Sequence, residues 1–362
     1  MTSQKKDSSR LSSVRASCAL ALAGLLVGCA AAPPTTTAAA SAQPTTTPLF
    51  DAIPYSSWRV VGAPARFHLV NGSDGPVVLV GEGPIPSNGF LTSPRELGDF
   101  RLSVDVRIGS TALPLGDKMN SGIQVRSREL GGAIGGLQVE IDPTPRAWSG
   151  GIYDERGRAW LASLVDNEPA RAAFKLGEWN RYEIECLGPR IRTRINGVPC
   201  AEWYDGIVSG LMAFQVHGGP SCEVAFRGAM LEELGTHVWG ALPDEASGSS
   251  GERCAWSHSV DPLMRGARVA VSGSGHVVVL DALGARLIDV SFLASAASDG
   301  KTPASHTLEI VWLDDAGAVL LDGARVAKLA LTTPPAHLRV LGDDCLVLDA
   351  QRLTRGVPAV KP

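Results

Sequence analysis

"GGLQVEIDP", residues 135–143, alternates without a break: Leu137, Val139 and Ile141 interleave with Gln138, Glu140 and Asp142. A period of two marks a β-strand, whose successive side chains point to opposite faces. One face here is apolar and wants a core. The other carries an amide and two carboxylates, which either meet water or meet a ligand. The same rhythm extends outward in both directions. "DFRLSVDVRI" (99–108) sets Phe100, Leu102, Val104, Val106 and Ile108 against Arg101, Ser103, Asp105 and Arg107. "GIQVRS" (122–127), "GGIYDE" (150–155), "RYEIECL" (181–187), "RIRTRI" (190–195), "LMAFQVH" (211–217) and "CEVAFRGAMLEEL" (222–234) continue it. Asn196-Gly197 is the pair that a two-residue type I′ hairpin requires. No amphipathic helical period interrupts the series. Many short antiparallel strands at this spacing imply an all-β sandwich or jelly roll.

The 362 residues are 44% hydrophobic and 19% charged, with 40 Gly and 24 Pro. That is apolar material for a real core and turn formers for a β-rich fold. A formal net charge of −4 without a basic stripe argues against nucleic acid as a partner. Lys5, Lys6, Arg10 and Arg15 precede an apolar run, Ala19 to Val27, that is short for a membrane span. It ends in Leu26-Val27-Gly28-Cys29, which resembles a bacterial lipobox. Residues 1–28 are therefore expected to be a lipoprotein signal peptide, and Cys29 the lipidated site that anchors the chain to a membrane. An ordinary signal peptide cleaved near Ala30 to Ala32 is the alternative, and both export the chain. Ala30 after the cysteine favours the outer membrane in a Gram-negative host. Residues 29–48 read as an extended Ala/Pro/Thr tether.

A strand-rich body at 49–239, a linker at 240–251 ("GALPDEASGSSG") and a smaller β-rich accessory module at 252–355 complete the expected organisation. Residues 181–203 and 306–329 share a strand–turn–strand–(N/D)G–strand rhythm. Of seven cysteines, Cys186, Cys200, Cys222, Cys254 and Cys345 lie beyond Cys18 and Cys29. Five cannot all pair within one chain, and no CxxC is present to suggest a zinc knuckle. Cys186 and Cys200 fall on the first and third strands of a meander, roughly 10 Å apart from strand spacing. That is too far for a disulfide, so buried free thiols are expected.

Three strands carry matching polar decoration: Gln124 and Arg126; Gln138, Glu140 and Asp142; Gln215 and His217. If they are sheet neighbours, these groups form one surface of donors and acceptors suited to a polyhydroxylated ligand. Trp148, Tyr153 and Trp160 could stack against sugar rings. Glycine pairs at 131–132, 135–136, 150–151 and 218–219 would allow close backbone approach. The plainer alternative is the wet face of an antiparallel sheet. Arg190, Arg192 and Arg194 also share a face, read as a solvated outer surface.

The motifs resemble one family. "FLTSPRELGDFRLSVDVRI" is similar to its "ygDF" strand, and Asn120-Ser121-Gly122-Ile123 with Arg126 to its "NSGi..R". "LQVEIDP…SGGIYDE" resembles "yEvQilD…tGaiY". "FKLGEWNRYEIECLGPRIRTRINGVPCAEW" and "FQVHGGPSCEVAFRGAMLEEL" resemble its later blocks. Together they cover roughly residues 50 to 237. The family is the 3-keto-disaccharide hydrolase-like domain. The resemblance implies a concanavalin-like (LamG-like) jelly roll and cleavage of a carbohydrate oxidised at C3. A base removes the acidified C2 proton, the C1 substituent leaves, and water adds back. His217, Glu140, Asp142 and Arg126 are then the candidate catalytic residues. Asn120, Gln124, Gln138, Tyr153, Trp148 and Gln215 are the candidate substrate contacts. Glu140 and Asp142 are also candidate ligands of a divalent metal cation polarising the ketone. Arg227-Gly228 departs from the family's "RN", the loop before Asn120 is unfamiliar, and "GGPSCEVAF" is long. A carbohydrate-binding module without turnover is the other reading.

Overall fold

The computed structural model describes residues 45–72, 75–109, 119–219, 223–242, 254–292, 305–342 and 345–356. The expected signal peptide, Cys29, most of the tether, Cys222 and most of the linker lie outside the described residues. The strands of the N-terminal body are β1 (Thr46–Pro48), β2 (Arg59–Gly62), β3 (Arg66–Gly72), β4 (Gly75–Glu82), β5 (Gly89–Leu97), β6 (Asp99–Ile108), β7 (Ser121–Leu130), β8 (Ala133–Ile141), β9 (Ile152–Glu155), β10 (Ala159–Ala162), β11 (Asn180–Leu187), β12 (Arg190–Ile195), β13 (Val198–Tyr204), β14 (Gly210–Val216) and β15 (Glu223–Gly235). They make two antiparallel sheets. The first runs β13-β12-β11-β6-β15-β4-β3, with β1 also paired to β15; the second runs β10-β9-β8-β7-β14-β5-β2.

Alternation decides which side chains fill the space between these sheets. Phe100, Leu102, Val104, Val106 and Ile108 of β6 meet Ile123 and Val125 of β7, Leu137, Val139 and Ile141 of β8, and Phe214 and Val216 of β14 in one core. This is the concanavalin-like jelly-roll sandwich. Asn196 and Gly197 close the β12–β13 hairpin with φ of 50° and 80°, as a type I′ turn demands. Cys186 and Cys200 are buried free thiols on β11 and β13, with β12 between them. Burial pushes the Cys186 thiol up to about 12.

The remaining strands are β16 (His237–Ala241), β17 (Cys254–Ser259), β18 (Met264–Ser272), β19 (Gly275–Leu280), β20 (Arg286–Phe292), β21 (His306–Leu313), β22 (Ala316–Leu321), β23 (Ala324–Ala330), β24 (His337–Leu341) and β25 (Leu346–Arg355). They form a sheet β16-β25-β18-β21-β22-β23 and a sheet β17-β24-β19-β20. Leu308, Ile310 and Trp312 of β21 point into the core between these two sheets. Val311 and Leu313 of β21, and Ala318 and Leu320 of β22, belong to the jelly-roll core. The middle of β21 is thus buried on both faces, which is why "LEIVWL" reads as an almost unbroken apolar run. The shared rhythm of 181–203 and 306–329 corresponds to two three-strand meanders. Asp322-Gly323 repeats the paired positive φ values, 50° and 76°.

Three expectations need correction. The end of the tether does pack: Thr46–Pro48 pairs with β15. Residues 240 and 241 are not linker but the end of β16, paired with β25. Arg190 is not solvated like Arg192 and Arg194, because the second body covers it. Its side chain is 7% exposed and sits 3.0 Å from Asp314 and 3.1 Å from Glu185.

Candidate functional site

β8, β7 and β14 are adjacent in the second sheet, so the three decorated strands are neighbours. Their register aligns the polar side chains in rows. Gln138 pairs with Gln124, which pairs with Ala213; Glu140 pairs with Gly122. Continuing the Phe214–Ile123 register puts Gln215 beside Gly122 and His217 beside Asn120, on the face away from the core. His217 is therefore on the same face as Glu140, two strands over, roughly 10 Å by strand spacing. Val216, next to it, is fully buried in the core.

The polar face is not wet. Gln124, Gln138, Glu140 and Gln215 are all 3% exposed or less. Their hydrogen bonds run in one direction. Ser127 Oγ donates to Gln124 Oε1 at 2.6 Å, Gln124 Nε2 to Gln138 Oε1 at 2.6 Å, and Gln138 Nε2 to Glu140 Oε2 at 2.8 Å. Asn120 Nδ2 donates to the other carboxylate oxygen, Oε1. Gly122 makes room for this chain. A Cβ there would stand 2.3 Å from Gln138 Cδ. Burial raises the Glu140 carboxyl to about 7, against the pull of the Asn120 and Gln138 hydrogen bonds; Asp142 adds to the rise and Arg146 opposes it. A carboxyl that titrates near neutrality can both take and give a proton at physiological pH.

The loop after β8 supplies the cation. Arg146 Nε is 2.7 Å from Asp142 Oδ2, and its Nη2 is 3.8 Å from Glu140 Oε1. Its guanidinium carbon lies 5.1 Å from the Trp148 ring centroid and 4.9 Å from that of Trp160. Trp160 in turn contacts Trp148 and Tyr153 edge-on, at 4.6 and 5.2 Å between centroids. These three rings and Arg146, whose side chain is 41% exposed, form the outer wall beside Glu140. The three aromatic residues thus adjoin one another, and an arginine occupies part of the surface of two of them.

Two sequence-predicted site residues do other work. Parity puts Arg126 with Gln124, but a β-bulge breaks the count. Val125 pairs with Leu137 and Arg128 with Gly135, so Arg126 and Ser127 face Gly136 alone. Arg126 has φ 49°. Its guanidinium turns inward, fully buried, 3.5 Å from Asp99, and donates to Ile207 O at 3.1 Å. Asp99 also accepts from Gly188 N and pairs with His237. Arg126 is therefore a buried structural cation rather than a catalytic one. Asp142 organises the loop: it accepts from Thr144 N, Thr144 Oγ1, Arg146 Nε and Trp148 N. With both oxygens engaged and an arginine between the two carboxylates, Glu140 and Asp142 do not fit a metal cation. Among the described residues no group of three or more His, Cys, Asp or Glu side chains could hold one. The glycines at 136 and 150 serve chain-on-chain packing: a Cβ at Gly136 would meet Ser127 at 2.8 Å, and one at Gly150 would meet Cys200 at 2.9 Å.

Arg146 and Ser127 were not legible as site residues. Arg146 lies in an irregular loop where no periodicity assigns a direction. Ser127 joins the polar chain only because the bulge shifts its parity.

The 3-keto-alpha-glucoside-1,2-lyase-like domain matches residues 45–232. No curated protein matches the chain. Among solved structures, the carbohydrate binding module CBM66 from Bacillus subtilis is similar at 14% identity, over 49% of this chain and 96% of that one, with a TM-score of 0.37. A putative glycosyl hydrolase from Parabacteroides distasonis is similar at 18% identity, over 52% and 100%, with a TM-score of 0.36. A Bacillus subtilis protein with a galectin-like fold is similar at 14% identity, over 49% and 90%, with a TM-score of 0.35.

Proposed function

Since the chain belongs to the 3-keto-alpha-glucoside-1,2-lyase-like domain family through residues 45–232, we propose that it cleaves a glycoside whose C3 is a ketone, by proton abstraction and elimination. The C2–H bond of such a sugar breaks as an enolate forms, with the electron pair delocalised onto the C3 oxygen. The C1–O bond then breaks and the aglycone leaves, giving an enone to which water adds. The observation that supports this is the pairing of Glu140, held near neutral pKa, with Arg146 3.8 Å away. A carbon acid carries its proton and its carbonyl on neighbouring carbons. It needs a base and an oxyanion partner a few ångströms apart, on one side of the substrate. Glu140 takes the C2 proton, and Arg146 stabilises the oxyanion at C3. His217 protonates the leaving oxygen. Trp148, Tyr153 and Trp160 bound the sugar face.

Incubating the purified chain with a 3-keto-disaccharide and measuring free sugar tests this reading. Release should be lost in Glu140→Gln and fall steeply in Arg146→Gln. Undiminished release in Glu140→Gln overturns the assignment. Binding of the same sugar by the parent chain with no release favours the carbohydrate-binding reading instead. The N-terminal segment supports export and lipid anchoring at Cys29. Incorporation of labelled palmitate that persists in Cys29→Ser argues against the anchor.

A further inference from the structure

We propose that Ser127, Gln124 and Gln138 are positioning residues of a relay that reverses its hydrogen bonds when Glu140 takes up a proton. The buried acid is then satisfied in both charge states. The inference rests on the reading of Glu140 as the base, and it extends that reading to residues that touch no substrate.

All four groups are buried: Ser127 1%, Gln124 0%, Gln138 2% and Glu140 3% exposed. Bulk solvent does not reach them, and a mispaired donor or acceptor there is costly. With Glu140 ionised, every donor points toward it, as the distances above show. With Glu140 protonated, the acid has an O–H to place. Oε1 faces donors, Asn120 Nδ2 and the Arg146 guanidinium, so a proton there opposes them. Among the described residues Oε2 accepts from Gln138, and an amide has the same shape either way round. If Gln138 turns, its oxygen accepts the Oε2 proton and its NH2 donates to Gln124 Oε1. Gln124 must turn as well, and its NH2 then donates to Ser127 Oγ. The serine proton then needs a new acceptor, and two are in reach: Val125 O and Leu137 O, each 3.2 Å from Ser127 Oγ. Each link of the relay therefore keeps a donor and an acceptor in either direction.

No proton travels along the relay. The C2 proton ends on Glu140 Oε2, its electron pair goes to the C3 oxygen beside Arg146, and the amides only rotate. The charged and titratable groups acting on Glu140 are Arg146 and Asp142 from the following loop and Tyr153 from β9; His217, which follows β14, lies on the same face two strands over. Behind the strand, Tyr182 donates to the Glu140 backbone carbonyl at 3.4 Å. The Gln138 side couples to a second buried amide, Gln124.

The test is nuclear magnetic resonance of the full chain without substrate, following the Gln side-chain NH2 signals and the Glu140 carboxyl carbon from pH 5 to 9. The Gln138 and Gln124 NH2 signals should both move with the midpoint of Glu140, near about 7, and stop moving in Glu140→Gln. In Ser127→Ala the Gln124 response should vanish. The limb of the kcat/KM profile should also move by about half a pH unit or more, with KM unchanged, because the two charge states lose unequal terminal bonds: Gln124 Oε1 loses its donor in one and the Gln124 NH2 its acceptor in the other. Titration of the Glu140 carbon with silent Gln124 signals overturns the relay and leaves the base assignment standing. Moving Gln124 signals together with full turnover in Glu140→Gln overturn the base assignment and leave the relay standing.

Discussion

Glu140 sits between opposing demands. Burial favours its neutral form; two amide donors and Arg146 favour the ion. The balance raises it from the ordinary 4.5 to about 7, so the folded chain binds a proton more tightly than the unfolded one. The stability this contributes is complete below pH 4.5 and is lost as pH rises through 7. Its size is about 3 kcal/mol from the linkage relation. In Glu140→Gln that slope should be absent, so the stability difference between parent and variant should drift by about 3 kcal/mol between pH 4 and 8. Urea titrations at several pH values read it, and parallel curves would show that Glu140 titrates normally. Turnover should run the other way, rising with pH through about 7 as the base ionises. Arg146→Gln keeps the carboxylate but removes the oxyanion partner, and should lower kcat by about 100-fold or more. At this scale the sequence was half legible. Parity located Gln124, Gln138 and Glu140 because each lies on regular strand, and it extends to His217, which directly follows β14. It could not find Arg146, which is aimed by Asp142 and two tryptophans.

A strand is a counting device, and β7 shows where the count breaks. The period of two holds from Ser121 to Val125, and the bulge resets it. Arg126, expected among the site residues, is delivered to Asp99 between the sheets. Arg126→Met should therefore lower stability by about 3 kcal/mol, since buried Asp99 loses its guanidinium and keeps His237 and Gly188 N. The pH limb of activity should stay where it was. A shifted limb with unchanged stability would return Arg126 to the site. Gly122 is the counterpart, a residue whose function is to have no side chain. In Gly122→Ala the new methyl occupies the place of the Gln138 amide. Turnover should fall together with the midpoint coupling of Gln138 to Glu140, while the core side of β7 is untouched. No bulge of this kind is visible in "GIQVRSREL", where nothing but an ordinary serine and arginine marks the reset.

For the whole molecule, the sequence suggested a jelly roll and a separate accessory module joined by a linker. The strands and the sandwich were legible because alternation is a local property. The union of the two bodies was not, because the side chains that make it read as ordinary strand residues. Val311, Leu313, Ala318 and Leu320 belong to the jelly-roll core although the chain reaches them some eighty residues beyond β15. Polar contacts reinforce the seam: Arg158 donates to Gly323 O at 2.8 Å, and Trp239 donates to Gly206 O at 2.9 Å. Arg325 lies 4.2 Å from the centroid of the Trp203 ring. Two bodies that share buried side chains should unfold together. Calorimetry of the chain is expected to show one transition, and Leu320→Ala should lower it as a unit by about 2–5 kcal/mol, the range for emptying a buried leucine site. A chain ending after Thr236 would expose the apolar face that β21 and β22 cover, and should lose cooperativity. Two resolved transitions, with only the second moved by Leu320→Ala, would mean that the bodies are independent and that the C-terminal one is an appendage after all.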